Sequence, residues 1–284
     1  MTTLARALVL AVAMSAGAFA SPAGAGEVEI ERMTWIEVRA AVEAGSTTVI
    51  VPSGGTEQNG RHMVIGKHNL IVAETARRTA RALGDALVAP VLAYVPEGDV
   101  DKREGNMAFP GTISVPPSVF EGVLEAAAHS FKAHGFKTIV LMGDHGQSQA
   151  PQQAVARRLS AVWAADGVRV VSADAYYGRN GALDWLAAQP GFNRAAFGSH
   201  AGIQDTAELM AVAPHGVRLE GYKANSDGAT GDASKASREL GEKLVELKVA
   251  AAVAEIRAAR AASAAVAPEQ ANGLLARLKR LIFG

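Results

Sequence analysis

The chain has 284 residues, 49% of them hydrophobic and 20% charged, enough for one large α/β domain or two small ones with a sizeable buried core. Lys plus Arg and Asp plus Glu number 28 each, which removes the usual electrostatic reason to expect a nucleic-acid partner. There is no cysteine, and this excludes disulfides, thiolate catalysis and sulfur-ligated zinc.

Residues 1–25 have the layout of a secretory signal. Arg6 precedes an apolar run, LVLAVAMSAGAFA, and small residues follow, with Ala18-Phe19-Ala20 and Ala23-Gly24-Ala25 as A-x-A cleavage sites. A membrane anchor is the other reading, disfavoured because the run is too short to span comfortably. Export to the periplasm is therefore expected. TWIEVRAAVEA (34–44) reads as a helix capped by Thr34 and stopped by Gly45. TTVIVPSGG is a buried strand entering a loop. TEQNGRHMVIGKHN (56–69) follows at the strand's C-terminal end, where open α/β sheets bind ligands.

Residues 70–83 read as a helix, and ALVAPVLAYV as a strand. PEGDVDKREGNMAFPGTISV is a long polar loop, either a cover over the site or a solvated connection. A helix over 118–134, the strand of KTIVLMGDHGQSQ, a helix in PQQAVARRLSAVWAADG and a strand VRVVSADAYY come next. This alternation predicts an α/β fold, three-layer αβα with a mainly parallel sheet. Beyond about residue 250 the chain turns alanine-rich and ends in the short basic amphipathic LLARLKRLIFG. The expected division is thus 1–25 signal, 26–250 one domain, and 251–284 a tail. A surface helix that packs loosely or joins subunits is expected for the tail rather than a lipid contact, since one short helix binds lipid weakly.

Three polar clusters follow strands or open a helix: Glu57 to His68, Asp144-His145, and Ser199 to Glu208. Of seven histidines, His62, His68, His145 and His200 fall in these clusters, whereas His129, His134 and His215 lie in helical or turn contexts. Imidazole and carboxylate suit zinc, manganese or iron. Spacing alone leaves both a metal site and a set of structural polar groups open.

The motifs resemble the creatininase family of metal-dependent amidohydrolases, from about Met33 to Lys248. VPSGGTEQNGRHMVIGKHN is similar to the family's P-x-G-[ST]-x-E-Q-H-G-x-H-L-P-x-x-T-D, and FPGTISV to its F-P-G-T-[IL]. HGFKTIVLMGDHGQSQ resembles G-F-[KR]-x-[IV]-x-x-x-N-G-H-G-G-N, and HAGIQDTAELMAVAP resembles H-A-G-x-x-E-T-S-x-M-x-x-x-x-P. The resemblance implies hydrolysis of a non-peptide C–N bond in a small cyclic or linear amide. It implies a divalent ion, zinc first with manganese or iron as alternatives, that activates water and polarises the carbonyl. It also implies a homo-oligomer, in the family a hexamer. Glu57 and His145 match metal ligands, Asp205 stands at a family glutamate, and His200 matches the proton shuttle to the leaving nitrogen.

The departures are as informative. Asn59 stands at the family's first-motif histidine, His68 at its bridging aspartate and Gln147 at a glutamate ligand. An imidazole cannot span two ions as a carboxylate does. At most one tightly held ion is therefore expected, with Glu57, His68 and His145 as its first ligands. His62 and Asp144 are candidates to ligate or to orient a ligand. The alternative is a catalytically inactive small-molecule-binding protein on the same scaffold.

Overall fold

The computed structural model describes residues 26–220 and 222–283, with side chains described through residue 262. The signal-like segment 1–25 and the side chains of LLARLKRLIFG lie outside the described residues. Four strands, β1 (Thr48–Ser53), β2 (Ala86–Val88), β3 (Thr138–Gly143) and β4 (Arg169–Ser172), form a parallel sheet in the order β2-β1-β3-β4. The helices are α1 (Trp35–Glu43), α2 (Lys67–Leu83), α3 (Pro117–Ala133), α4 (Gln149–Trp163), α5 (Asp174–Gly178), α6 (Ala182–Ala187), α7 (Ile203–Val212) and α8 (Arg238–Phe283).

Strand residues alternate between two cores, as the pleat requires. Val49, Val51, Ile139 and Leu141 pack with Phe120 and Leu124 of α3 and Val155, Leu159 and Trp163 of α4, while Val38 and Val42 of α1 lie against the same cluster. Ile50, Val140 and Met142 pack on the opposite face with Val72 and Ala76 of α2, Tyr176 of α5, and Ala252 and Ile256 of α8. Both faces are thus covered, giving the three layers that the β/α alternation predicts.

Local chemistry sets the boundaries. Thr34 caps α1 in a reciprocal capping box with Glu37. The strand expected over 86–95 keeps only three ladder residues, because Pro90 has no N–H to donate; the rest continues as single bridges, Ser53 with Leu92 and Val95 with Ser114. The strand expected over 168–177 stops at Ser172. Glu255 of α8 accepts from the Ala175 main-chain N–H at 2.7 Å and closes the α5 turn, which swings Tyr176 inward. α8 runs unbroken past residue 250: Ala252, Val253 and Ile256 are buried, and Arg260 pairs with Asp85 at 2.9 Å. It crosses α7 so closely that a Cβ at Gly241 would lie 1.8 Å from the Ala207 carbonyl oxygen. Among the described residues no helix is long and apolar enough to cross a membrane.

Candidate metal centre

Parallel pairing of β1 with β3 sets their two following loops side by side at the C-terminal edge of the sheet. The loop after β1 closes on itself: the Glu57 N–H donates to the Ile65 carbonyl at 3.0 Å, and Asn59 Nδ2 donates to the Glu57 carbonyl at 3.0 Å. The Asp144 N–H donates to the Ser53 carbonyl at 2.9 Å, so Asp144 and His145 extend directly from β3. α2 starts at Lys67 rather than at 70. Lys67 and His68 therefore open its buried stripe, which continues through Ile71, Val72, Thr75, Ala76 and Thr79.

These supports bring together Glu57, His68 and His145. The two imidazoles stand edge to face with centroids 5.1 Å apart. Glu57 lies between them, Oε1 at 2.8 Å from His68 Nε2 and Oε2 at 3.2 Å from His145 Nε2. One donor atom from each of the three buried residues falls within 4.8 Å of the others. Asp144 Oδ2 holds His68 Nδ1 at 2.8 Å, and this leaves Nε2 as the atom facing Glu57. Asp144 Oδ1 in turn accepts from the Tyr176 hydroxyl at 2.7 Å and from Lys248 Nζ at 2.6 Å; Lys248 also donates to Glu208 Oε2 at 2.9 Å.

Other sequence candidates are placed differently. Asp205 lies outside the trio. Its Oδ2 is 3.0 Å from Lys67 Nζ and accepts the Ala201 N–H at 2.8 Å, so a buried ammonium takes the place an ion would have. His62 points away, with Nε2 at 3.0 Å from Thr206 Oγ1 and its ring edge-on to Tyr222. Asn59 shapes the first loop through the Glu57 and Val64 carbonyls. Gln147 is exposed on the wall of a cleft of about 680 Å³ above the trio. His200 also lines that cleft. Its Nε2 lies 2.8 Å from the Gln58 main-chain carbonyl and 2.9 Å from the Gln58 side-chain amide nitrogen, and its Nδ1 is 3.7 Å from Glu57 Oε1. The adjoining Ala201 has φ +51°, a left-handed conformation rare for a residue with a Cβ and held here by the Asp205 hydrogen bond.

Residues 31–256 match the creatininase family, described as creatinine amidohydrolase. The chain belongs to the creatininase family. It is 33% identical over 118 residues to a creatinine amidohydrolase of Pseudomonas putida (42% of this chain, 45% of that one). It is also 33% identical over 113 residues to a mycofactocin precursor peptide peptidase of Mycolicibacterium smegmatis (38% and 43%). The matched portions thus span a little under half the length of these curated relatives. Among solved structures, a tryptophan-to-alanine creatininase variant superposes with TM-score 0.67 at 25% identity (83% of this chain, 99% of that one). A manganese form of creatininase gives 0.66 at 25% identity (82% and 98%), and a Zn–Zn type variant 0.63 at 26% (82% and 98%).

The electrostatics of this buried centre follow from burial and pairing. Burial pushes the Glu57 carboxyl up, but the His145 and His68 hydrogen bonds and the Lys67 ammonium outweigh it and hold it well below the usual carboxylate range. Burial and Lys67 push His68 down; its bonds to Asp144 and Glu57 prevail, and it ends above the ordinary histidine value. For His145 burial prevails, and its pKa falls. Glu97, from the long polar loop, is buried against Glu57, and desolvation with the Glu57 charge pushes it up to about 9. Sequence reasoning gave no role to Lys67, Tyr176, Glu208 or Lys248. For Lys248 the available signal was position, in the helical spacing Leu244, Val245, Lys248, Ala252; Lys67 and Tyr176 fell outside the helices expected from the sequence.

Proposed function

We propose that this creatininase-family protein is an exported, metal-dependent hydrolase of a non-peptide C–N bond in a cyclic or linear amide. The observation that carries the proposal is the convergence of Glu57, His68 and His145 beneath an open cleft. One oxygen and two nitrogen donors, all buried, fit a zinc, manganese or iron ion. The Mn and Zn–Zn forms among the solved creatininases support the same choice. When bound, the ion activates water and polarises the amide carbonyl.

The chain's own residues do the rest. Asp144 fixes the His68 tautomer and presents Nε2 to the ion, a carboxylate–histidine arrangement that raises ligand basicity. Lys248 and Tyr176 hold Asp144 ionised and in place. His200, at the cleft wall with Nδ1 3.7 Å from Glu57 Oε1, is the base that takes a proton and returns it to the departing nitrogen. The signal-like residues 1–25 support export to the periplasm. The family resemblance supports a homo-oligomer.

The test is a turnover screen of lactams, cyclic imides, formamides and short peptides with added Zn, Mn or Fe. The short peptides are included because of the peptidase relative. Metal-dependent hydrolysis that His200→Ala lowers by about 10²–10⁴-fold is the expected result. A second reading, a binding protein that has lost catalysis, draws on Asn59, whose Nδ2 is spent on main-chain carbonyls, and on Gln147; neither supplies an anionic ligand. Tight binding of a small amide without any turnover would favour it.

A further inference from the structure

We propose that Glu97 is a fourth protein ligand of the ion, completing a Glu57–His68–His145–Glu97 centre; this rests on the metal-centre reading above. Glu97 reaches the site from the polar loop between β2 and α3. Its main chain is pinned there: the Glu97 N–H donates to Ser114 Oγ at 3.0 Å, and the Ser114 hydroxyl donates to the Gly98 carbonyl at 2.8 Å. The side chain is 0% exposed. Its Oε2 lies 3.0 Å from His145 Nε2, the same nitrogen that Glu57 Oε2 approaches at 3.2 Å.

Two carboxylates from separate loops therefore converge on one ring nitrogen, which carries at most one proton. Asn106 Nδ2 donates to Glu57 Oε2 and, at 3.3 Å, to Glu97 Oε2, so it holds the two oxygens beside each other. The Glu97 Oε1 atom is buried with no hydrogen-bond partner. Room is left for it: a Cβ at Gly55 would come within 2.4 Å of Oε1. Among the described residues no lysine or arginine forms an ion pair with Glu97; Lys67 Nζ stands 3.0 Å from Asp205 Oδ2 and 3.9 Å from Glu57 Oε1. Both partners of Glu97 Oε2, His145 Nε2 and the Asn106 amide, are shared with Glu57, so the two carboxyl groups have no cation between them, and a shared divalent ion supplies one. Two carboxylates and two imidazoles also leave the ion's charge balanced. A tetrahedral ion would have no open position with four protein ligands, so this set favours an ion that accepts a fifth.

The experiment uses the metal-stripped protein and Co²⁺, with affinity read by competition against a chromophoric chelator and coordination read from the visible d–d bands. Glu97→Gln keeps the shape and removes the charge, and Glu97→Asp keeps a shortened carboxylate; circular dichroism checks the fold of both. Glu97→Gln is expected to weaken Co²⁺ binding by at least about tenfold and to change the d–d spectrum at saturation, with Glu97→Asp intermediate. Unchanged affinity, or weaker binding with an unchanged spectrum, overturns ligation by Glu97 while leaving the three-residue centre intact. Failure of the wild-type protein to bind Co²⁺ overturns both.

Discussion

His145→Ala is expected to strip the protein of its transition metal and to abolish metal-dependent turnover. The imidazole is held on a rigid element: it follows β3 directly, and its ring is buried against Glu57 and His68. Its Nε2 is one of three donors that close on a single point, so removal leaves two protein ligands from the trio. Loss of a mere outer partner of a ligand costs about 10–100-fold in affinity, and loss of a ligand should exceed that. Elemental analysis after dialysis, compared with wild type, reads the effect. His129→Ala is the control, since His129 packs edge-on against Trp163 and faces no other donor of the trio. Wild-type metal content in His145→Ala would remove this residue from the ligand set.

Lys248→Met is expected to be the most destabilising single change outside the apolar core. Lys248 Nζ is buried and sits between Asp144 and Glu208 at 2.6 and 2.9 Å, above the Tyr176 ring at 4.7 Å. Burial pulls its ammonium down, but Asp144 and Glu208 together hold it well above the ordinary lysine value. Removing one partner of such a group strands the others as uncompensated charge and costs about 3–5 kcal/mol, or roughly 10 °C in Tm for a chain of this size. The pH profile carries a sign. Asp144 is held below its ordinary 3.8: burial opposes ionisation, and Lys248 and His68 overcome it. A carboxyl lowered in this way stabilises fully above its unfolded pKa, and that contribution fades as pH falls through the folded value. Without Lys248, burial dominates and acid unfolding should begin at higher pH. Adding Glu208→Gln removes one of the two stranded carboxylates and should restore part of the loss. Thermal melts from pH 3 to 8 decide it; a Lys248→Met curve within 2 °C of wild type throughout, well under the shift such a loss implies, would show that the network carries no net stability. Because Asp144 also orients His68, the same variant should bind metal about 10–100-fold more weakly.

The layered fold was readable because β1, β3 and β4 are short runs rich in β-branched residues and the longer helices, such as α2, repeat a buried face at three and four residues. What blurred the reading was local. Pro90 sits inside an apolar run that otherwise resembles a full strand, and Tyr176 follows a strand but is turned inward by a contact from Glu255, 80 positions away. The trio was legible because two of the three polar clusters, Glu57 to His68 and Asp144-His145, follow strand ends. Asp205 misled because its motif position says nothing of Lys67, whose ammonium reaches it from another helix. Lys67 and Lys248 were given no role from the sequence, although both stand in buried helical slots. A lysine in an apolar stripe signals a buried anion nearby, and spacing alone does not say which.

The most direct measurement is anomalous diffraction from crystals of the protein equilibrated with Zn²⁺ or Mn²⁺. A single strong peak about 2 Å from Glu57, His68 Nε2 and a ring nitrogen of His145 is expected. Two peaks of comparable height, or one placed beyond reach of both histidines, would contradict a single shared ion at the rim of the sheet.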